Sequence, residues 1–467
     1  MGQPKIPADV KYKRARAICQ QSQKTTPPSP SPEPGEATLD GTRQLRLRRV
    51  NRNQVTPVPA VLDALLPKDH LARQIWNWVD QQADLRAIYE TIAVVEGGPG
   101  QAATDPKILV TLWLYATSQG VTSARELACL CVEHLAYIWI CGGVSMNYHT
   151  LSDFRVKHAQ ALDNLLTQLI KDLQQADLAT LENVAQDGIR VRASAGAASF
   201  HRQPTLEKHL AEAQATLAAL ETANPSETET ISARQQAARK RAARERVARL
   251  EAALAEMPAA QAAKEPDKKD EARVSSTDPQ ARVMKPVLSE VEGMPDGGFR
   301  PAYNVEFATD TKNLVITGVD VTNAGSDKAE MPPMVEQVEE RCDRLAENWL
   351  MDGNFVSRQA IDVAAAKGVR VFAPVPEPKD KERDPALPLP TDSPAIAEWR
   401  ERMATKEAKE TYKLRAATSE CVNAQARSSH GLLQFRVRGL AKVLCVALWI
   451  VLAHNLLIWL RHLQLVI

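Results

Sequence analysis

Leu181-Glu-Asn-Val-Ala-Gln-Asp-Gly-Ile-Arg-Val-Arg-Ala-Ser194 is where the chain changes character. Before it, apolar residues recur at helical spacing. Within it, Val184, Ile189 and Val191 among small residues predict a strand that carries Gln186-Asp187-Gly188. After it, residues 205–257 predict a helical hairpin, and residues 302–309 and 314–321 predict two strands joined by a turn holding Asp310, Lys312 and Asn313. A helix over 334–345 follows, then a short strand at 348–351 that runs into Asp352-Gly353. A helix over 361–367 stopped by Gly368, a strand over 369–375 and a helical remainder complete the order. Strand, inserted helices, then strands alternating with helices predicts an α+β or α/β fold with a mixed sheet in a three-layer arrangement.

Outward toward the N-terminus, residues 58–180 predict short helices. Leu71, Ile75, Trp76 and Val79 share one face; Asp105-Pro106 opens a second helix, Thr122-Ser123 a third and Asn147 a last one. Short helices joined by glycine-containing turns suit a helix-turn-helix DNA reader, and equally any small helical domain. Residues 1–44 carry Pro27, Pro28, Pro30, Pro32 and Pro34 and predict a disordered extension. In the hairpin, Leu206, Leu210, Ala213, Leu217 and Leu220 mark one arm. The other is dense in alanine and in Arg234, Arg239, Lys240, Arg241, Arg244, Arg246 and Arg249. That arm reads either as a solvated coiled-coil face or as a phosphate-binding one.

The 467 residues contain 58 lysines and arginines against 57 aspartates and glutamates. A net charge of +1 excludes a uniformly basic, histone-like binder, so a nucleic-acid surface must come from local segregation of charge. Seven scattered cysteines exclude a disulfide scaffold and suit reduced thiols in a cytoplasmic compartment. Cys129 and Cys131, one residue apart near His134, lack zinc-site spacing and read as core residues. The apolar run 443–460 is long enough to cross a bilayer, but His454 and Asn455 in its middle make a buried core helix the better reading, with no membrane.

Three acidic residues stand out. Asp187 lies in the first strand and Asp352 at the end of a later one, each followed by glycine; Glu420 lies in the C-terminal helices. Ligands sit outside the carboxyl ends of strands in open α/β sheets. Two aspartates and a glutamate converging there would hold two Mg²⁺ ions through hard oxygen ligands and could promote phosphodiester chemistry. Asp320 and Asp327 are rival ligands, which the glycine after Asp352 disfavours.

Several motifs resemble the bacterial insertion-sequence transposases of the Asp-Asp-Glu class, from about residue 45 to 462. They are Arg46-Leu-Arg-Arg-Val-Asn-Arg-Asn-Gln54, Val95-Glu-Gly-Gly-Pro-Gly100, Asp105-Pro-Lys-Ile-Leu-Val110 and Asn147-Tyr-His-Thr-Leu-Ser-Asp-Phe-Arg155. The strand quoted above resembles the segment of the first aspartate, and Trp349-Leu-Met-Asp-Gly-Asn-Phe355 that of the second. Tyr412, Arg415 and Glu420 resemble the family's Tyr–Arg–Glu signature, with Arg427 where the family often has lysine. Arg438-Gly-Leu-Ala-Lys-Val443 and Ala453-His-Asn455 resemble its closing helices. Pro286-Val-Leu-Ser-Glu-Val-Glu-Gly293 interrupts an otherwise family-like segment as a short insertion.

The resemblance implies a ribonuclease-H-like catalytic domain over 181–204 and 298–467. It implies a helical DNA-binding domain over 45–180, with the hairpin at 205–257 inserted and 258–297 as a linker. It implies Asp187, Asp352 and Glu420 as a triad holding two Mg²⁺ (or Mn²⁺) ions, and Tyr412, Arg415, Arg427 and Arg438 as DNA contacts. The implied activity is cleavage of terminal inverted repeats and joining of the freed ends to target DNA, by a homodimer or larger assembly at the bacterial nucleoid in the cytoplasm. Alternatives are a catalytically inactive relic that only binds DNA, and a nuclease of the same fold without strand transfer.

Overall fold

A computed structural model describes residues 61–94, 102–222, 233–284, 300–324, 329–353, 356–377 and 383–464, with short strand segments at 38–39 and 43–44. The expected insertion at 286–293, Asp327 and nearly all of the proline-rich extension lie outside the described residues.

The N-terminal part is helical: α1 (Leu71–Gln81), α2 (Pro106–Ser118), α3 (Ala124–Glu133), α4 (Leu135–Cys141), α5 (Tyr148–Lys157) and α6 (Ala159–Gln175). The starts follow from local chemistry. Asp105 accepts from the Lys107 N–H with Pro106 in the first turn, Ser123 accepts from the Glu126 N–H, and Asn147 accepts from the N–H groups of His149 and Thr150. Each satisfies helix N–H groups that lack partners within the helix.

The sheet begins with β1 (Asn183–Arg192). The helical hairpin follows as α7 (Gln203–Thr222) and α8 (Ala233–Ala255), then β2 (Arg282–Met284), β3 (Arg300–Asp310) and β4 (Ile316–Thr322). Next come α9 (Met331–Cys342), β5 (Asn348–Leu350), α10 (Arg358–Ala366), β6 (Arg370–Phe372), α11 (Pro394–Ala404), α12 (Lys406–Ser428) and α13 (Leu440–His462). The strand order is β6-β5-β1-β3, with β2 and β4 both along the far edge of β3. β1, β5 and β6 are parallel, while β1–β3 and β3–β4 are antiparallel, so the sheet is mixed and the fold is α+β.

One stretch differs from its sequence reading. Residues 258–297, charged and proline-containing, read as a linker, yet their described part, to residue 284, holds most of a helix at Met257–Ala262 and short strands at Val274–Ser275 and Arg282–Met284. The reason is polar: buried Asp278 accepts from the Tyr303 hydroxyl at 2.7 Å and the Gly439 N–H at 3.1 Å, and Gln280 Oε1 accepts from the Leu440 N–H at 2.9 Å. The segment therefore caps the start of α13, where Gly439 sits at φ +86°.

The apolar run read from the sequence is α13, buried inside the protein along most of its length. It touches α2, α5 and α6 on one side and β4 on the other, so helices and sheet share one continuous hydrophobic core. Its two buried polar residues are both used. Asn455 accepts from the Ile316 N–H at 3.0 Å and donates to the Ile316 carbonyl at 2.9 Å, closing part of the β4 edge. His454 Nε2–H donates to the Leu314 carbonyl at 2.8 Å. The hairpin has a separate small core of Leu206, Ala213, Leu250, Ala253, Met257 and neighbours.

Asn455→Ala would strand a buried N–H and a buried carbonyl, and a loss of about 3 kcal/mol is expected in denaturant titrations. A second expectation concerns pH. Burial, with His430 and Arg461 nearby, pulls His454 down to about 4 from its ordinary 6.5. Above pH 6.5 both folded and unfolded forms are neutral. As pH falls from 6.5 to 4 only the unfolded chain takes the proton, so stability drops by about 3 kcal/mol across that window. Melting temperatures of His454→Gln should depend less steeply on pH there; an identical profile would contradict this.

Candidate active site

Asp187 lies in the middle of β1, paired with Phe307 of β3. Asp352 follows β5 by two residues. The parallel register pairs Val184 with Trp349 and Ala185 with Leu350; continued two residues, it sets Asp352 beside Asp187. Gly188 has a local reason as well. A Cβ there would stand 2.4 Å from Glu306 Oε1 and 2.8 Å from Asn304 Nδ2, both buried on the sheet face opposite Asp187. Gln186, on that same opposite face, accepts from Trp349 Nε1 at 3.0 Å and ties β5 to β1.

Helix α12 covers the face that Asp187 and Asp352 share. Arg415 Nη2 lies 2.8 Å from Asp187 Oδ1 and 3.7 Å from Asp352 Oδ2, so one guanidinium spans both carboxylates. Asn423 Nδ2 donates to the second oxygen of Asp187 at 3.1 Å. Arg415, Ser419 and Asn423 recur every four residues and form one stripe along the helix. That spacing is the only mark Asn423 carries in the sequence.

The remaining candidates fall around this cluster at differing depths. Tyr412 is half-buried; burial raises its phenol above the ordinary value, and the charges of Asp352 and Asp187 add to this against Arg415. Arg427 is half-buried, and its pKa is lowered by burial while Asp187 pulls it back. Arg438 is exposed and donates from Nε to the Ser194 carbonyl at 3.2 Å, beyond the end of β1. Glu420 is exposed. Five residues past Arg415 and three before Asn423, it lies about 140° around the helix from the first and about 60° from the second. Asp320 is on β4, paired with Glu306, which is itself paired with Gly188; strand alternation places it on the face away from Asp187.

Among the described residues no three His, Cys, Asp or Glu side chains stand close enough together to hold a metal, neither here nor at Cys129, Cys131 and His134. The donor chemistry of Asp187 and Asp352 nonetheless suits a hard divalent cation. Two further atoms fit a polar ligand: Arg415 Nε and Ser419 Oγ are buried without hydrogen-bond partners on the stripe that faces the aspartates. Glu420, as placed, does not complete the set.

Comparison with known proteins gives two family matches. The model described as Transposase domain (DUF772) matches residues 60–157, which contain α1 to α5. The model described as Transposase DDE domain matches residues 389–458, which contain Tyr412, Arg415, Glu420, Arg427, Arg438 and most of α13. No curated protein and no solved structure matches the chain. The chain thus carries a segment similar to a transposase domain at one end of the shared core and a segment similar to a transposase DDE domain at the other, with the paired aspartates under the second.

Proposed function

We propose that this transposase cuts the terminal inverted repeats of its insertion sequence and joins the freed ends to target DNA, with Asp187, Asp352 and Glu420 as its acidic triad. The observation that carries the reading is the cluster of Asp187, Asp352 and Arg415 under the helix of the DDE-domain match. Asp187 and Asp352 would hold the divalent ions, magnesium or manganese. Such ions, when bound, supply charge stabilisation at the attacking and leaving oxygens of an in-line displacement. The chain's own residues do the positioning. Asn423 fixes the Asp187 carboxylate through one oxygen while Arg415 holds the other. Arg415 and Arg427 offer planar donor forks suited to a phosphodiester, and half-buried Tyr412, three residues before Arg415 on the same helix, adds a hydroxyl. Arg438 would touch DNA farther along, past the end of β1.

In the same reading, residues 45–180 form the DNA-binding domain that holds the repeats and residues 181–204 with 298–467 form the ribonuclease-H-like catalytic domain. The hairpin at 205–257 adds a basic arm. Joining two ends requires both to be held at once, so the working form is a homodimer or larger on DNA, in the bacterial cytoplasm.

Exposed Glu420, which forms no three-carboxylate cluster with Asp187 and Asp352, favours a second reading, a relic that binds repeats without cutting them. A labelled duplex carrying the repeats that flank the gene separates the two. With Mg²⁺, and not with EDTA, nicking at the repeat tip is expected. Asp187→Ala, Asp352→Ala and Glu420→Ala should each lower its rate at least about 100-fold, the upper end of the loss when even an outer-shell partner of a metal site is removed. Wild-type rates in Glu420→Ala alone would remove that residue from the triad, and binding without nicking in every case would establish the relic. Strand-transfer products would exclude a nuclease that only cuts.

A further inference from the structure

Among the described residues, one fully buried guanidinium has no carboxylate beside it. Arg155, in the last turn of α5, is 5% exposed. Its Cζ lies 4.6 Å from the centre of the Trp113 ring, and Nη1 donates to the Thr122 carbonyl at 2.6 Å. Nε is buried without a partner. Burial alone pulls the pKa down to about 10, which still leaves the group charged at neutral pH. A buried charge lacking a counter-charge is costly, and one carbonyl answers only one of its five N–H donors.

Arg155 also lines a cleft of about 810 Å³ between the helical part and the loop after α12. The start of α3 contributes Thr122, Ser123 and Arg125; α5 contributes Ser152; the loop contributes Arg436. The N-terminus of α3 brings partial positive charge to the same wall. Arg125 and Arg436 are exposed at the rim and pair with no carboxylate among the described residues; the Arg125 guanidinium lies 5.0 Å from the centre of the Tyr148 ring. Glu126 and Glu133 line the cleft as well, but both are exposed and keep their hydration, whereas Arg155 does not. The loop is tied to the catalytic strand, since the Phe435 N–H donates to the Arg192 carbonyl at the end of β1. Asp187 and Asp352 are not among the lining residues.

We propose that this cleft is an anion site for a phosphodiester of the DNA backbone, with Arg155 at its floor, Arg125 and Arg436 at its rim and the start of α3 as its wall. The proposal rests on the reading that the chain works on DNA. It adds a contact that ties the helical part of the protein to the strand carrying Asp187, away from the reacting centre. Both family-matched segments border or adjoin it, α3 and α5 on one side and the loop between α12 and α13 on the other.

The test uses the full chain with two probes, inorganic phosphate and a duplex of random sequence. Phosphate should raise the melting temperature of the wild type. In Arg125→Ala/Arg436→Ala, which removes only exposed side chains, that rise should shrink or vanish. The salt dependence of duplex binding should flatten by about 2 in log–log slope, with affinity down roughly tenfold per lost contact at 0.1 M salt. Arg155→Lys keeps a cation but loses the fork. A purely structural Arg155 would lower its melting temperature and leave phosphate response and salt slope alone, which would overturn the proposal. Duplex binding by the wild type with an unchanged slope in the double variant would overturn the cleft and leave the transposase reading standing. A phosphate response lost in the variants, with no duplex binding by the wild type, would overturn the DNA ligand and count against the transposase reading.

Discussion

The structure depends on how α13 hides its polar atoms. A helix this apolar must be buried, and the one place available is between the helical part and the sheet. That placement forces Asn455 and His454 into the interior, where an unpaired amide or imidazole would be expensive. Both meet the backbone of the β4 region instead, at Ile316 and Leu314. On the opposite side, Trp449 Nε1 donates to the Arg155 carbonyl at 3.0 Å. The same helix therefore pins the edge of the sheet and the end of α5, and the two halves cannot separate without exposing both sets of groups.

The candidate site is built on like charges made compatible. Two carboxylates side by side repel, and burial sharpens the repulsion. Arg415 relieves it by spanning them, with Asp187 and Arg415 both less than one-fifth exposed. Arg415 is itself imperfectly satisfied, since its Nε has no partner. A guanidinium held in this way neutralises the aspartates while it remains beside them. A cation brought to the same carboxylates would compete with it, leaving Arg415 available to a phosphate oxygen.

Much of this was legible in the sequence because the relevant signals are local. The strand over residues 183–192, the alternation after it and the buried character of the last long helix follow from spacing and composition. Asp-Gly at 187–188 was legible as a motif, but its cause was not: Gly188 is small because Glu306, 118 positions later in the chain, lies against it. Residues 258–284 read as a linker because their structural work is done by isolated side chains, Asp278 and Gln280, which cap a helix far away in sequence. Asn423 carried only its helical spacing, and Arg155 only its place at the end of the Asn147–Arg155 motif, for a similar reason. Their importance comes from what faces them in three dimensions, Asp187 in one case and the absence of any carboxylate in the other. Glu420 shows the converse, a residue that the motif singles out and that stands exposed on α12.

The division of the cores carries a mechanical consequence. The helical part and the sheet share one hydrophobic cluster, while the hairpin has its own. The shared core fixes the distance from α3 and α5 to the aspartates, so DNA held by those helices would be presented to the site in one orientation. The hairpin obeys a different constraint. Beyond its base it is two helices joined along one narrow apolar seam of Leu210, Leu217 and Leu220, with most other positions exposed. Segments with few buried contacts open at lower free energy than the core they spring from. Arg239, Arg241 and Arg246 are exposed on α8 and pair with no carboxylate among the described residues, whereas Arg244 pairs with Glu221 across the hairpin at 2.7 Å. The hairpin thus differs from the shared core in two ways, a thinner apolar seam and a run of exposed arginines along α8.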